Sequence, residues 1–146
     1  IFSVNVFAGY YCAIAAAKKF IELDINGSII FTASMAGYGP NMSGFGSSYG
    51  ATKAALRNMA KSLAVEWAPH GIRVNCVCPG YTETKLTKGF EERMPGWEDT
   101  IAQFRGMARM ADAREIAGPF AYLLSDAATY VSGIDIPVAG AIQAWG

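Results

Sequence analysis

The sequence has little charge and no excess of either sign. Only 16% of its 146 residues are charged, and 12 basic side chains balance 12 acidic ones. Nucleic acids and acidic membranes attract proteins through concentrated basic patches, so we expect neither as a partner. Hydrophobic residues make up 52% of the chain. That composition argues against disorder and predicts much buried surface, including contacts between subunits.

Cysteine and histidine are scarce. The chain has three cysteines, Cys12, Cys76 and Cys78, and one histidine, His70. An odd number of cysteines does not fit a disulfide framework, and a zinc site needs more ligands at a different spacing. We therefore expect no metal, cysteines buried as small apolar side chains, and a reducing, cytoplasmic location. His70, next to Pro69 and Gly71, is expected to end a helix.

The amino terminus lacks the marks of a targeting segment. Residues 1–17 carry no charged side chain, but a signal peptide needs a positive region before its apolar core. The run is also shorter than the roughly 20 apolar residues that span a membrane. Because the chain begins with Ile1 rather than Met, we expect it to have been cut from a longer protein.

A glycine-rich phosphate-binding turn is lacking as well. The glycines of residues 44–50 stand before a predicted helix, whereas a dinucleotide site needs them directly after a strand, with an acid about 20 residues later. His70 occupies the position of that acid. We therefore expect residues 44–50 to form the approach to the following helix, and the amino-terminal nucleotide-binding half of such a fold to be missing.

The sequence does show a regular alternation of helices and strands. Short apolar runs between amphipathic segments indicate a parallel sheet covered by helices, which is the α/β class. The predicted helices are 5–24, 48–67 and 112–125, and the predicted strands are 28–33, 72–78 and 134–138. We expect helix 5–24 to be buried, and the apolar side chains of helix 48–67 to share one face: Leu56, Met59, Ala60, Leu63 and Trp67. Residues 36–48 are predicted as a loop, and 81–110 as a substrate-side region with short helices. Asp112 and Glu115 have the spacing of a helix capping box, although Pro119 removes one backbone hydrogen bond from that helix.

Tyr49 and Lys53 lie four residues apart at the start of a predicted helix, so their side chains share a face. A tyrosine with a pKa near 10 is a poor acid or base at neutral pH. A cation within about 4–6 Å favours the phenolate, so Lys53 can make Tyr49 a usable proton donor or acceptor. The same spacing also occurs in solvated pairs on helix surfaces. The surrounding residues must therefore distinguish a catalytic pair from a surface pair.

That context is a set of polar residues at strand ends. Ser34 follows the first predicted strand, and Thr82 and Thr84 follow the second. Ligands bind beyond the carboxyl ends of strands in open α/β sheets. The Ser34 hydroxyl can donate a hydrogen bond to a carbonyl oxygen that gains charge during hydride transfer.

Several ordered motifs together resemble the short-chain dehydrogenase/reductase family over nearly all of the chain. The matching segments are residues 4–9, 27–30, 34–37, 49–55, 72–75, 79–80, 84, 115–117 and 124–126. The resemblance implies a partial Rossmann-like doubly wound parallel sheet. It also implies that residues 1–146 form the catalytic carboxy-terminal part of one domain of this family.

The resemblance implies a role for each matching residue. Tyr49 would be the general acid or base, and Ser34 would orient and polarise the substrate carbonyl. Lys53 would also hold the nicotinamide ribose hydroxyls, and Asn5 would support a proton relay through a water near Lys53. The cofactor would be NADP or NAD.

Four further residues would contact the nicotinamide. Pro79 and Gly80 would line its pocket, Thr82 would reach it through the backbone, and Thr84 would hold the carboxamide. At the carboxyl end, residues 138–141 read Val-Ala-Gly-Ala, where relatives commonly have Val-Asp-Gly-Gly. This departure leaves the local contacts of that segment open, including contacts between subunits.

The implied function is hydride transfer between the cofactor and a carbonyl or secondary alcohol, in a homo-oligomer such as a dimer or tetramer. Residues 10–12, 60–67 and 79–81 look most like fungal polyol dehydrogenases of the mannitol or sorbose type. A 3-oxoacyl-carrier-protein reductase shares most of these motifs, and a truncated, non-enzymatic relative is the alternative from another class. The large apolar side chains of 81–110 fit a substrate pocket or the core of a lid: Phe90, Met94, Trp97, Phe104 and Met107.

Overall fold

The computed structural model describes residues 1–39, 46–85, 87, 89, 95–96, 99, 106–107 and 109–142. Its helices are α1 (Ala8–Glu22), α2 (Ser47–Trp67) and α3 (Ala113–Leu124), and its strands are β1 (Gly27–Thr32), β2 (Ile72–Pro79) and β3 (Asp135–Val138). Shorter helical segments are the π-helix Ser3–Phe7 and the 3-10 helices Met35–Gly37, Ala68–His70 and Asp126–Ala128. The predicted order of helices and strands is confirmed, with boundaries shifted by a few residues. Much of 81–110 lies outside the described residues.

The three strands form one parallel sheet in the order β1-β2-β3. Thr32 of β1 lies opposite Val77 of β2, and Pro79 of β2 lies opposite Val138 of β3. Because the strands are parallel, all their carboxyl ends point to the same edge of the sheet. The segments that follow β1, β2 and β3 therefore meet at that edge.

Alternation along β2 divides the core into two layers. Val74, Cys76 and Cys78 belong to the cluster on the side of α1 and α2, whereas Val77 packs with Leu123 of α3 on the other side. Successive strand residues point to opposite faces of a sheet, so β2 is buried on both. The predicted burial of Cys76 and Cys78 is confirmed.

The expectation that the first helix is buried is wrong. Only Ala13 and Ala17 of α1 are buried, while Tyr11 is 66% exposed. These two alanines lie one turn apart and face the sheet, so several larger side chains point outward, whereas Phe20 packs partly buried against the core. Cys12 is also exposed, so the expectation that it is buried is wrong. The expected homo-oligomer stays a prediction. Within the described ranges, no helix combines the length and apolarity that crossing a membrane requires.

The start of α3 is fixed by the predicted capping box. Asp112 accepts a hydrogen bond from the Arg114 backbone, and the Glu115 carboxylate accepts one from the Asp112 backbone at 2.8 Å. Arg109 donates to both oxygens of Glu115, at 2.7 and 2.8 Å. Pro119 lies inside the helix, as expected.

We predict that Glu115 stays ionised far into the acid range. Its pKa is lowered from 4.5 to about 2, mainly by the hydrogen bonds from Arg109 and to a smaller extent by the one from the Asp112 backbone. Any stability that this pair contributes is therefore present above pH 4.5 and is lost as the pH falls toward 2. Carboxyl NMR titration of Arg109→Met should move the pKa of Glu115 back toward 4.5, whereas Arg114→Met should not. An unchanged pKa in Arg109→Met would contradict the contact.

Candidate active site

The segment that carries Asn5 is wound as a π-helix rather than the regular α-helix that the sequence predicts. The Ala8 backbone N–H donates to the carbonyl of Ser3, five residues back. Asn5 Nδ2 donates to Thr52 Oγ1 at 3.0 Å, and Thr52 Oγ1 donates to the Tyr49 carbonyl at 2.7 Å. Thr52 is fully buried, so this chain of hydrogen bonds ties the amino-terminal segment to the first turn of α2. π-Helical turns are frequent at functional sites.

Tyr49 and Lys53 share one face of α2, as their spacing predicts. Lys53 Nζ lies 5.6 Å from the centroid of the Tyr49 ring and donates to the Thr32 carbonyl at 2.8 Å. Burial of the ammonium lowers the pKa of Lys53. Tyr49 is 37% exposed, so a ligand at the sheet edge can reach its ring.

Ser34 begins the 3-10 helix that follows β1. Its Oγ accepts a hydrogen bond from the Ala36 backbone at 3.2 Å, and the residue is only 8% exposed. A serine hydroxyl has one O–H donor and two lone pairs. Because the Ala36 N–H uses a lone pair, the O–H can still donate to a ligand oxygen.

The turn after β1 lies directly on the backbone of α2. A Cβ added at Gly37 would meet the Lys53 carbonyl carbon at 2.8 Å, and one added at Gly50 would meet the Ala36 carbonyl oxygen at 2.9 Å. Only glycine at both positions allows this approach. The contact brings Ser34 to the helix turn that carries Tyr49 and Lys53.

The end of β2 forms the neighbouring part of the site. Gly80 N–H donates to the Val138 carbonyl at 2.9 Å, and a Cβ on Gly80 would lie 2.7 Å from Ala139 Cα. Pro79, the last residue of β2, lies opposite Val138. Ala139, where relatives commonly have an aspartate, therefore places an apolar side chain against Gly80, which is expected to line the nicotinamide pocket.

Thr82 and Thr84 lie in a separate hydrogen-bonded turn. Thr82 Oγ1 donates to the Gly80 carbonyl at 3.1 Å, and its own carbonyl accepts from Thr87 Oγ1 at 2.8 Å. The Thr84 backbone donates to Thr87 Oγ1 at 2.7 Å. Thr84 is exposed, so its side chain is accessible at this edge of the sheet.

Several cavities in the described part of the chain adjoin these residues, and two of them border the sheet. One, of about 480 Å³, lies between α1 and β1 and is lined by Asn5, Thr32 and Lys53 together with apolar side chains. The other, of about 280 Å³, lies beyond β2 and β3 and includes Tyr81 and Met107. Met107 is exposed, whereas the other apolar residues predicted for the pocket or lid lie outside the described residues. The described part of the chain contains no group of three or more potential metal ligands.

Sequence reasoning missed an ion pair beside the site. Arg57 Nε and Nη2 bind one oxygen of Asp135 at 2.9 and 2.8 Å, and Arg57 Nη1 donates to the Gly37 carbonyl at 2.5 Å. Two signals were available. Arg57 follows Lys53 by one helical turn, and Asp135 is an acid in an otherwise apolar strand, where a charge needs a partner.

The family model described as enoyl-(acyl carrier protein) reductase matches residues 1–141. The chain therefore belongs to the short-chain dehydrogenase/reductase family, which confirms the resemblance drawn from the motifs.

Among curated proteins, the sorbose reductase of Schizosaccharomyces pombe is 44% identical over 138 residues, which cover 94% of this chain and 52% of that protein. The NADP-dependent mannitol dehydrogenase of Hypocrea jecorina is 36% identical over 141 residues, covering 96% and 51%. The chain thus spans about half the length of these relatives.

Solved structures show the same fold. A 4-hydroxyisoleucine dehydrogenase complexed with NADH is 27% identical, with a TM-score of 0.91, and the match covers 100% of this chain and 59% of that one. The 3-oxoacyl-[acyl-carrier protein] reductase of Brucella melitensis is 28% identical, with a TM-score of 0.90 and coverage of 99% and 52%.

We predict that Gly37→Ala destabilises the full-length protein. Its Cβ meets backbone atoms of α2, which cannot swing aside, so we expect a loss of about 1–3 kcal/mol from overpacking. Urea unfolding measures the change. The matched control is Gly118→Ala in α3, where a Cβ meets nothing within 4 Å.

In the control, alanine should be neutral or stabilising by up to about 1 kcal/mol, because it favours helix more than glycine does. Equal stability of the two variants would show that the turn does not lie on α2.

Proposed function

We propose that this chain is the catalytic carboxy-terminal part of a domain that moves a hydride and a proton between a nicotinamide cofactor and a carbonyl or secondary alcohol. One arrangement carries the proposal. The Lys53 ammonium lies 5.6 Å from the Tyr49 ring centroid, and the Ser34 turn packs on the same part of α2.

Tyr49 is the proposed proton donor in carbonyl reduction and the proton acceptor in alcohol oxidation. The positive charge of Lys53 favours the phenolate that forms when Tyr49 gives up its proton. The Thr32 carbonyl holds that charge in place through a 2.8 Å hydrogen bond. The protonated Tyr49 hydroxyl then gives its proton to the oxygen that becomes the alcohol.

Ser34 is the proposed group that orients the carbonyl. Its lone pair already accepts from the Ala36 backbone, which fixes the direction of the side chain. Its O–H then donates to the substrate oxygen, where negative charge develops. Burial of Ser34 excludes water that would compete for this hydrogen bond.

The residues at the sheet edge fit a nicotinamide nucleoside. Lys53 has three N–H donors, of which Thr32 takes one, so the ammonium can also donate to ribose hydroxyls. We propose that Asn5 supports a water beside Lys53, that Pro79, Gly80 and the Thr82 backbone line the nicotinamide pocket, and that Thr84 holds the carboxamide. When bound, NADP or NAD supplies or accepts the hydride. The NADP and NADH in the names of relatives support this choice.

A sugar or polyol is the proposed substrate class. The support is the similarity to sorbose reductase and mannitol dehydrogenase. A 3-oxoacyl thioester is the second candidate, because a 3-oxoacyl-carrier-protein reductase matches 99% of the chain with a TM-score of 0.90.

We expect Tyr49→Phe to lower kcat of the full-length protein at least roughly a hundredfold, as loss of a general acid implies. The ring and its packing stay, and only the transferable proton is removed. NADPH- and NADH-linked ketose reduction measures the effect. Tyr11→Phe, on the exposed side of α1, is the control that should leave turnover unchanged. Full activity of Tyr49→Phe would rule out the proposed proton donor.

We also expect the full-length protein to prefer a ketose such as sorbose to an acetoacetyl thioester, judged by kcat/KM with the same cofactor. A preference for the thioester would overturn the sugar proposal but keep the catalytic one. Failure to turn over either substrate, with no binding of NADPH or NADH in calorimetric titration, would favour the non-enzymatic alternative.

A further inference from the structure

The ion pair between Arg57 and Asp135 connects three elements that meet beside the proposed active site. Arg57 lies on α2, one helical turn beyond Lys53, and its guanidinium binds Asp135 of β3 through two nitrogens. The Asp135 side chain is only 8% exposed. Lys61, the next turn of α2, approaches the same Asp135 oxygen at 3.4 Å.

The same guanidinium also holds the turn that begins at Ser34. Arg57 Nη1 donates to the Gly37 carbonyl at 2.5 Å. The guanidinium carbon lies 3.3 Å from the centroid of the Tyr38 ring, a stacked arrangement that suits the planar arginine group. Arg57 thus contacts the last residue of the Ser34-capped 3-10 helix, Gly37, and the residue that follows it, Tyr38.

Simple stabilisation does not account for this arrangement well. Asp135 Oδ1 is buried and has no hydrogen-bond partner among the described residues. A buried ion pair with an unsatisfied oxygen is a poor source of stability, because desolvation offsets the attraction. The ion pair can instead hold a neighbouring group in place, and this role does not require it to stabilise the fold.

We propose that Arg57 is a positioning residue, anchored by Asp135, that holds the Gly37–Tyr38 end of the turn so that Ser34 stays aligned with the substrate oxygen. This inference rests on the proposed role of Ser34. Gly37 and Gly50 bring the turn onto α2, and Arg57 fixes the turn along the helix. The hydrogen bond from the Ser34 hydroxyl to the substrate oxygen requires a defined geometry, so even a small displacement of Ser34 weakens it.

The test is a double-mutant cycle in the full-length protein, with kcat for carbonyl reduction as the readout. Arg57→Met keeps an unbranched apolar stem but removes the guanidinium that contacts Asp135, Gly37 and Tyr38. We expect it to lower kcat by about tenfold, as a misplaced catalytic group does, without changing the dissociation constant of NADPH or NADH. In the Ser34→Ala background the same substitution should have little further effect, because interacting residues are non-additive.

Lys61→Met is the matched control. It removes a second cation from Asp135 but leaves in place the Arg57 contacts to Gly37 and Tyr38, so kcat should stay within about twofold, as for a surface substitution. An equal effect of Arg57→Met in both backgrounds, or no effect of it where Ser34→Ala is damaging, would overturn the positioning role. If neither Ser34→Ala nor Tyr49→Phe lowers kcat, the proposed function itself is refuted.

If Arg57→Met does not fold, Arg57→Lys and Asp135→Asn replace it in the cycle. Arg57→Lys keeps the charge but loses the two-nitrogen contact, and Asp135→Asn keeps the shape but loses the charge. Each should lower kcat by a smaller factor and should again lose its effect in the Ser34→Ala background. If both substitutions lower kcat by the same factor with and without Ser34→Ala, the positioning role of Arg57 is refuted.

Discussion

The close approach of the turn after β1 to the backbone of α2 is the constraint on which the rest of the site depends. Gly37 and Gly50 leave no side chain between the two backbones, and this gives a separation that no pair of larger residues could reproduce. Ser34 enters the site from the strand, whereas Tyr49 and Lys53 enter from the helix. The parallel register of β1 and β2 and the crossover through α2 set the general position of these groups, and the glycine contact sets the final distance.

Polar groups around this contact are satisfied mainly by backbone atoms. Thr52 bridges Asn5 and the Tyr49 carbonyl, and Lys53 binds the Thr32 carbonyl. Backbone partners on strands and helices move less than long side chains, so they hold the functional groups firmly. Burial meanwhile lowers the pKa of Lys53 and raises the pKa of Cys76 to about 12. The buried thiol therefore stays protonated and inert.

Local patterns were enough for much of the fold and for the central pair of the site. The helical repeat of Leu56, Ala60 and Leu63 predicted the buried face of α2, and Asp112 with Glu115 predicted the start of α3. The spacing of Tyr49 and Lys53 predicted their shared face because it depends only on the geometry of one helix. The burial of α1 was predicted wrongly, since an apolar run does not reveal which side of a helix another element covers.

The sequence by itself determined the α/β alternation and the shared face of Tyr49 and Lys53, because both depend on residue types at short or recurrent spacing. The family and the candidate roles of Asn5, Ser34, Tyr49 and Lys53 came from the resemblance of its ordered motifs to known proteins. Only the tertiary structure decided that Thr52 joins Asn5 to α2, and that Arg57 joins Asp135, 78 positions away, to the Gly37 turn. Those contacts depend on how strands pair and helices cross. A side chain finds such a partner only when the whole sheet has formed, and no local pattern encodes that distance.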